Sequence, residues 1–349
     1  MLQENLSIND LTQKEETNLP ESECILDLQE ALTLDLISSG IVYMNTEASI
    51  RQGRNGKDFM VGKFMDVSGE VEFKAWSADI FKPLLSGSGL YVVRVRGSAY
   101  NGSQYLTLEK ASTYTGGNIN ASMFYPSLDT HYVNNLYKTV VLRLKENGVS
   151  DRCFHLFKQV ISQDHFVKER FFFEGAAMRH HDNKIHGLLH HTTKMLNVLV
   201  SVLQIYPELK AHADLLAFGI LLHDIGKIWE YNNLAEGEYW YANHRIRGIE
   251  FLAEHKDSIV AEYNEEFYRQ MQCIISGHHG EFADRPKTVA TAIIHYIDLL
   301  ESQITGFIEG LAQQGSGNKV RTMEWGYLQG LPQTSFSKQD SEQTGVTHE

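Results

Sequence analysis

LLHDIGKIWEY, residues 221–231, sets an imidazole and a carboxylate side by side at the end of an apolar run. Gly226 and Lys227 follow at once. Neighbouring residues on a regular helix point about 100° apart. His223 and Asp224 can therefore face one centre only near a helix end or bend, and Ile225-Gly226 supplies such an end. The run before the pair, DLLAFGILLHDIG (214–226), is apolar nearly all round, which is the pattern of a central buried helix. The stretch thus asks for a helical core with polar groups delivered into it at a helix end.

Working outward, the sixteen histidines are unevenly spread. His180, His181, His186, His190 and His191 crowd RHHDNKIHGLLHHTTKML (179–196). His244 lies in ANHRIRG, His278 and His279 in ISGHHGE, and Asp298 in IIHYIDLL. All fall on expected helices or at their ends. Imidazole and carboxylate together suit Mn, Fe, Zn or Co, whereas an all-oxygen set would suit Mg or Ca. One buried histidine is ordinarily a hydrogen-bonded core residue. Several ordered His and Asp positions on separate apolar helices are different, because burying them costs several kcal/mol unless they are paired or metallated. Asp224, with two oxygens, is the candidate bridging ligand of a two-metal site. Lys227 is placed to stabilise charge on a phosphate oxygen; the plainer reading is a helix-end lysine favoured by the dipole.

The region before these helices has another rhythm. In GEVEFKAW (69–76), Val71, Phe73 and Ala75 alternate with charged residues, the period of a half-buried strand. LYVVRVRG (90–97) puts Arg94 and Arg96 on one face, and AYNGSQYLTLEK (99–110) turns at Asn101-Gly102 as a hairpin. Close-set strands read as a small barrel. We expect an acidic, partly flexible arm over 1–39, a barrel over 40–115, a Gly/Asn/Ser-rich linker over 116–135, a helical body over 136–325 and a polar, flexible tail over 326–349. Helices are expected at 191–206 and near 244–256, 262–277 and 287–312. The fold class is therefore multi-domain, a β-barrel followed by an all-α bundle.

Composition narrows the function. A net charge of −13 argues against a protein that coats nucleic acid non-specifically, but not against one that threads a strand through a local groove. No apolar run approaches the ~20 residues of a membrane span. The N-terminus does not read as a targeting segment. Three widely spaced cysteines fit a reduced cytoplasm with no disulfide framework.

The order H…HD…H…HH…D, carried by His191, His223-Asp224, His244, His278-His279 and Asp298, resembles the HD-domain metal-dependent phosphohydrolases. HGLLHHT, LLHDIGK, SGHHG and IIHYID, preceded by GKDFMVGKFMDVSGEVEFKAW, resemble more closely the YhaM-type 3′–5′ exoribonucleases, also called CMP-binding-factor-like. The resemblance covers about residues 40–325. It implies an OB-like barrel that binds nucleic acid. It implies one cation held by His191, His223, Asp224 and Asp298, and a second by Asp224, His244 and His278 or His279. Mn is the first choice of metal, with Fe, Co and Zn as alternatives. His186 departs from the family, which tends to have a small residue there; His186 and His190 stand as candidates for substrate contact or for support of the ligands.

The expected activity is hydrolysis of single-stranded RNA from its 3′ end to nucleoside 5′-monophosphates by a metal-activated water, with single-stranded DNA as a further substrate. Direction and exonuclease character come from the resemblance alone. OB folds grip single strands with aromatic stackers and basic side chains. The candidates are Phe64, Trp76, Tyr100 and Tyr105 for bases and Lys63, Lys74, Arg94 and Arg96 for phosphates, each also readable as barrel core or solvated surface. RQGRNGKDF (51–59) is a basic loop that either grips a backbone or is a plain hairpin. Two alternatives stay open: an HD phosphohydrolase of nucleotides or cyclic dinucleotides, and a non-catalytic nucleic-acid-binding regulator. Homo-oligomerisation is left open too.

Overall fold

The computed structural model describes residues 24–331, apart from 46, 54, 55, 101, 118, 120, 178–181, 233, 234, 283, 314–318 and 323–325. Most of the acidic arm, most of the tail, Arg54 of the basic loop, and His180 and His181 lie outside the described residues.

Six strands form the first part: β1 (Ile37–Met44), β2 (Ser49–Gln52), β3 (Asp58–Asp66), β4 (Gly69–Ala75), β5 (Gly89–Tyr100) and β6 (Ser103–Thr113). Their order is β1-β5-β6-β4-β3-β2, and β1 also pairs with β3 at Tyr43↔Met65. That pair brings the sheet round on itself and leaves β2 at the edge. The β4–β6 pair is parallel and the others antiparallel. The result is OB-like. Period-two alternation drives it: Val71, Phe73 and Ala75 point inward with Val93, Val95, Leu106 and Leu108. Tyr100 pairs with Ser103 across the expected turn, where Gly102 stands at φ 80°. Short helices α1 (Leu28–Ala31) and α2 (Ala78–Phe81) flank the sheet.

The described end of the arm is part of this core. Leu26, Leu28 and Ala31 are buried in it, and Leu28 N–H donates to Asp66 Oδ2 at 2.7 Å. The expected linker is also shorter than 116–135. Phe124 and Tyr125 are fully buried with Ile41, Tyr43, Met65 and Ile185, so this segment packs the sheet against the helices. Its aromatics outweighed its Gly/Asn/Ser content. A helix already begins at Thr130.

The helices that follow are α3 (Thr130–Glu146), α4 (Asp151–Ser162), α5 (His165–Phe173), α6 (Gly187–Ile205), α7 (Ala213–Leu222), α8 (Lys227–Glu230), α9 (His244–Glu254), α10 (Lys256–Glu262), α11 (Glu265–Gly277) and α12 (Val289–Gln313). A small hairpin, β7 (Tyr231–Asn232) and β8 (Ala235–Glu236), separates α8 from α9. α7 is the central helix its sequence predicts, with Leu216 to Leu222 all buried. Leu196 and Leu199 of α6, Ile274 of α11 and Ile294 of α12 share its core. The chain divides into two compact units at Glu301/Ser302. The second contains the end of α12 and a hairpin of β9 (Lys319–Thr322) and β10 (Gly326–Gln329).

Candidate metal centre

α7 stops at Leu222, and His223 and Asp224 occupy the turn before α8. This is the helix end the motif required. Gly226 makes the turn fit: an ideal Cβ there would lie 1.8 Å from the His244 carbonyl oxygen and 2.9 Å from Gly248 N. No other residue lets the first turn of α9 come so close. α9 opens at His244, where Asn243 Oδ1 accepts from Arg245 N–H as the cap. His278 and His279 follow the end of α11, His191 lies in the first turns of α6, and Asp298 lies within α12.

These side chains meet around Asp224. Its Oδ2 lies 3.1 Å from His223 Nε2 and 3.8 Å from His191 Nε2. Its Oδ1 lies 3.7 Å from His244 Nε2 and 3.6 Å from His278 Nε2. His279 Nε2 sits 3.0 Å from His244 Nε2, and Asp298 Oδ1 3.3 Å from His191 Nε2. Two groups therefore share Asp224: His191, His223, Asp224, and Asp224, His244, His278, His279, the ligand atoms of each lying within 4.8 Å of one another. Each oxygen of the carboxylate faces a different imidazole set, which is the arrangement of a bridging ligand. Asp298 reaches the first group beside His191.

The donor atoms fit a cation. His223 Nε2, His278 Nε2 and Asp224 Oδ1 are buried and have no hydrogen-bond partner among the described residues. Leaving such groups unsatisfied is expensive. The far nitrogens of His191, His223, His244 and His278 are engaged, which turns their Nε2 atoms inward. His223 Nδ1 meets the Ile220 carbonyl at 2.7 Å, and His278 Nδ1 the Ile275 carbonyl at 3.0 Å. His244 Nδ1 meets Glu230 Oε2 at 2.7 Å, and His191 Nδ1 meets Glu301 Oε2.

Charge follows the same geometry. Burial alone would raise Asp224, but His223 and Lys227 outweigh it and hold the carboxyl well below its usual range. Burial alone would lower His191, yet Asp298 and Glu301 carry it up to about 10. Burial, then the neighbouring His278, pushes His279 down to about 3. A proton and a cation compete for such nitrogens. Lys227 is buried, with Nζ 2.7 Å from Asp224 Oδ2. It is an ion-pair partner inside the site rather than a solvated helix-end lysine.

The other sequence candidates sit elsewhere. His186 adopts φ 68° at the start of α6; its Nδ1 meets the Phe172 carbonyl at 2.6 Å and its Nε2 meets Thr130 Oγ1 at 3.1 Å. It packs between helices. His190 Nδ1 meets Asp182 Oδ1 at 2.8 Å. In the sheet, Phe64 is fully buried with its ring stacked on Phe73, so neither face is open to a base. Trp76 and Tyr100 are exposed, and Trp76 stacks on Phe59 with centroids 4.8 Å apart. Lys74 Nζ lies over the Tyr105 ring at 3.8 Å. Lys63 pairs with Glu70, and Arg94 and Arg96 share Glu109.

Sequence reasoning missed the supporting carboxylates. Glu301 accepts from His191 and is paired with Lys194, which also binds Asp182 Oδ2 at 2.8 Å. The signal was present: Glu301 falls one turn after Asp298, and Lys194 one turn after His191, on the same helix faces. Glu230, on α8, had no such mark.

Helices deliver imidazoles around a shared aspartate in a set that could hold metal ions, and residues 188–303 match the HD domain family model. The match takes in both groups and Glu301. Over most of its length the chain is similar to bacterial proteins named 3′–5′ exoribonuclease YhaM. It is 26% identical over 293 residues to the one from Listeria monocytogenes serotype 4b (strain CLIP80459), covering 80% of this chain and 88% of that protein. It is 28% identical over 265 residues to the one from Bacillus velezensis, covering 72% and 80%. It is 26% identical over 264 residues to the one from Bacillus subtilis (strain 168), again covering 72% and 80%. The resemblance read from the motifs thus extends over 72–80% of the chain, and the matches support a metal-dependent hydrolase. No helix among the described residues is long and apolar enough to cross a membrane.

Proposed function

We propose that this chain is a metal-dependent 3′–5′ exoribonuclease that hydrolyses single-stranded RNA to nucleoside 5′-monophosphates in the cytoplasm. The reading rests above all on one observation: Asp224 presents each of its oxygens to a separate imidazole set, with His223 Nε2 and His278 Nε2 buried and without hydrogen bonds among the described residues. His191, His223, Asp224 and Asp298 would hold one divalent transition-metal ion, and Asp224, His244, His278 and His279 the other, with manganese the first to test. When bound, such ions lower the pKa of water and neutralise phosphoryl oxygens. Lys227 adds a fixed positive charge 2.7 Å from Asp224, where it strengthens the field that meets a phosphoryl oxygen. Glu301 and Glu230 keep the His191 and His244 rings turned inward.

The sheet supports the substrate class. Its exposed Trp76 and Tyr100, with Tyr105, Lys63, Lys74, Arg94 and Arg96, would grip the strand as OB surfaces do, within residues 40–115, while 136–325 does the chemistry. Single-stranded DNA is the second substrate to test. The names of the relatives support 3′–5′ polarity. The test is a 5′-labelled single-stranded RNA incubated with Mn²⁺, with chelator, and with Asp224→Ala in place of the wild type. Stepwise shortening from the 3′ end, abolished by chelator and by the substitution, is expected. Cleavage that survives both, or turnover confined to mononucleotides or cyclic dinucleotides, would contradict it.

A further inference from the structure

The loop between β8 and α9 carries three consecutive exposed aromatics, Tyr239, Trp240 and Tyr241, at 39%, 53% and 73% exposure. Contiguous exposed apolar surface marks contact sites more often than scattered single residues do. The loop ends at His244, itself one of the imidazoles facing Asp224. Three Cα–Cα steps separate Tyr241 from His244, so their Cα atoms lie within about 11 Å.

The loop is also held in place. Gly237 N–H donates to the Glu230 carbonyl at 2.8 Å, and His244 Nδ1 meets Glu230 Oε2 at 2.7 Å. Both ends are therefore tied to one residue. Gly237 permits this, since a Cβ there would lie 2.7 Å from the Trp229 carbonyl oxygen. Inside the loop, Trp240 N–H donates to the Gly237 carbonyl and Ala242 N–H to the Tyr239 carbonyl. Trp240 and Tyr241 sit edge to face, centroids 6.3 Å apart, and both side chains remain exposed.

We infer that Tyr239, Trp240 and Tyr241 form a stacking platform for the bases at the 3′ end of a single strand, beside the centre where the scissile phosphate sits. Resting on the exoribonuclease reading, the inference names the substrate feature read there. The loop segment 237–243, GEYWYAN, has no lysine or arginine and includes Glu238. It is unsuited to gripping phosphates and suited to flat, uncharged faces. Every base has such a face, so the platform holds the strand end without selecting its sequence.

The experiment compares two single-stranded RNAs of equal length in the Mn²⁺-loaded full chain, one ending in ordinary nucleotides and one whose last nucleotides lack bases. Stacking on aromatic side chains predicts a KM about tenfold lower for the base-bearing end. Trp240→Ala and Tyr241→Ala are expected to shrink that ratio, and Trp240→Phe to retain most of it. Loss of a favourable ring by a merely structural change would raise both KM values together. A wild-type ratio near one, or a ratio unchanged in both alanine variants, would overturn the inference and leave the exoribonuclease reading standing. Wild type that degrades neither RNA would remove both. Should Trp240→Ala lose its far-UV circular dichroism, the wild-type ratio and Tyr241→Ala decide.

Discussion

Glu301 shows how one carboxylate can set the properties of a centre it does not enter. It accepts from His191 Nδ1 and is paired with Lys194, whose ammonium also holds Asp182. Burial alone would raise its pKa, but the His191 hydrogen bond and charge, with Lys194, bring it down to about 2. A carboxylate ionised that firmly fixes the ring with Nε2 inward and raises its basicity as a ligand. Glu301→Gln keeps the shape and removes the charge. Its expected effect is a loss of Mn²⁺ affinity of about 10- to 100-fold, read by calorimetric titration. Unchanged affinity would mean that His191 is positioned by packing alone. The histidines and Asp224 were legible in the sequence because their order carries a pattern. Phe64 stood open between base stacker and barrel core, since alternation along β3 does not say which face of a nearly closed sheet is inside; it is core. Lys227 was half legible: its place in the site was read, its pairing with Asp224 was not.

At the scale of elements, the α7–α8 turn and the start of α9 form one construction. Gly226 and Gly248 face each other closely enough that a Cβ on the first would meet the second's backbone at 2.9 Å. The adjacent His-Asp pair can face the centre because the chain bends here, as the motif implied. Gly226→Ala is expected to force α9 away and take His244 with it. Destabilisation by about 3 kcal/mol is expected from overpacking of this kind, read as a drop in chemical-denaturation midpoint. A variant as stable as the wild type, with full activity, would show that the close approach is dispensable. The expected helices near 191–206, 244–256, 262–277 and 287–312 appear as α6, α9, α11 and α12, because each has a strong apolar face and a cap or glycine near an end. The region before residue 135 was less legible. Burial of Phe124 and Tyr125 depends on Tyr43 and Met65, distant in sequence, and local composition spoke for a linker instead.

For the whole molecule, an OB-like sheet precedes a helical bundle whose residues 188–303 match the HD domain family model, and a packed aromatic segment rather than a free tether lies between them. The broad division was readable because hydrophobic periodicity changes from two to 3.6 along the chain. The acidic net charge of −13 is compatible with RNA as substrate because binding depends on local surfaces. It also suits a centre whose carboxylates are offset by cations. Everything functional then depends on whether those cations bind where Asp224 joins the two imidazole groups. The most direct measurement is manganese stoichiometry on the purified full-length chain, by equilibrium dialysis with elemental analysis, for wild type and Asp224→Ala. Two ions per wild-type chain, and loss of both on removing the shared carboxylate, are expected. A folded wild type that takes up no manganese, or an Asp224→Ala chain that retains both ions, would contradict it.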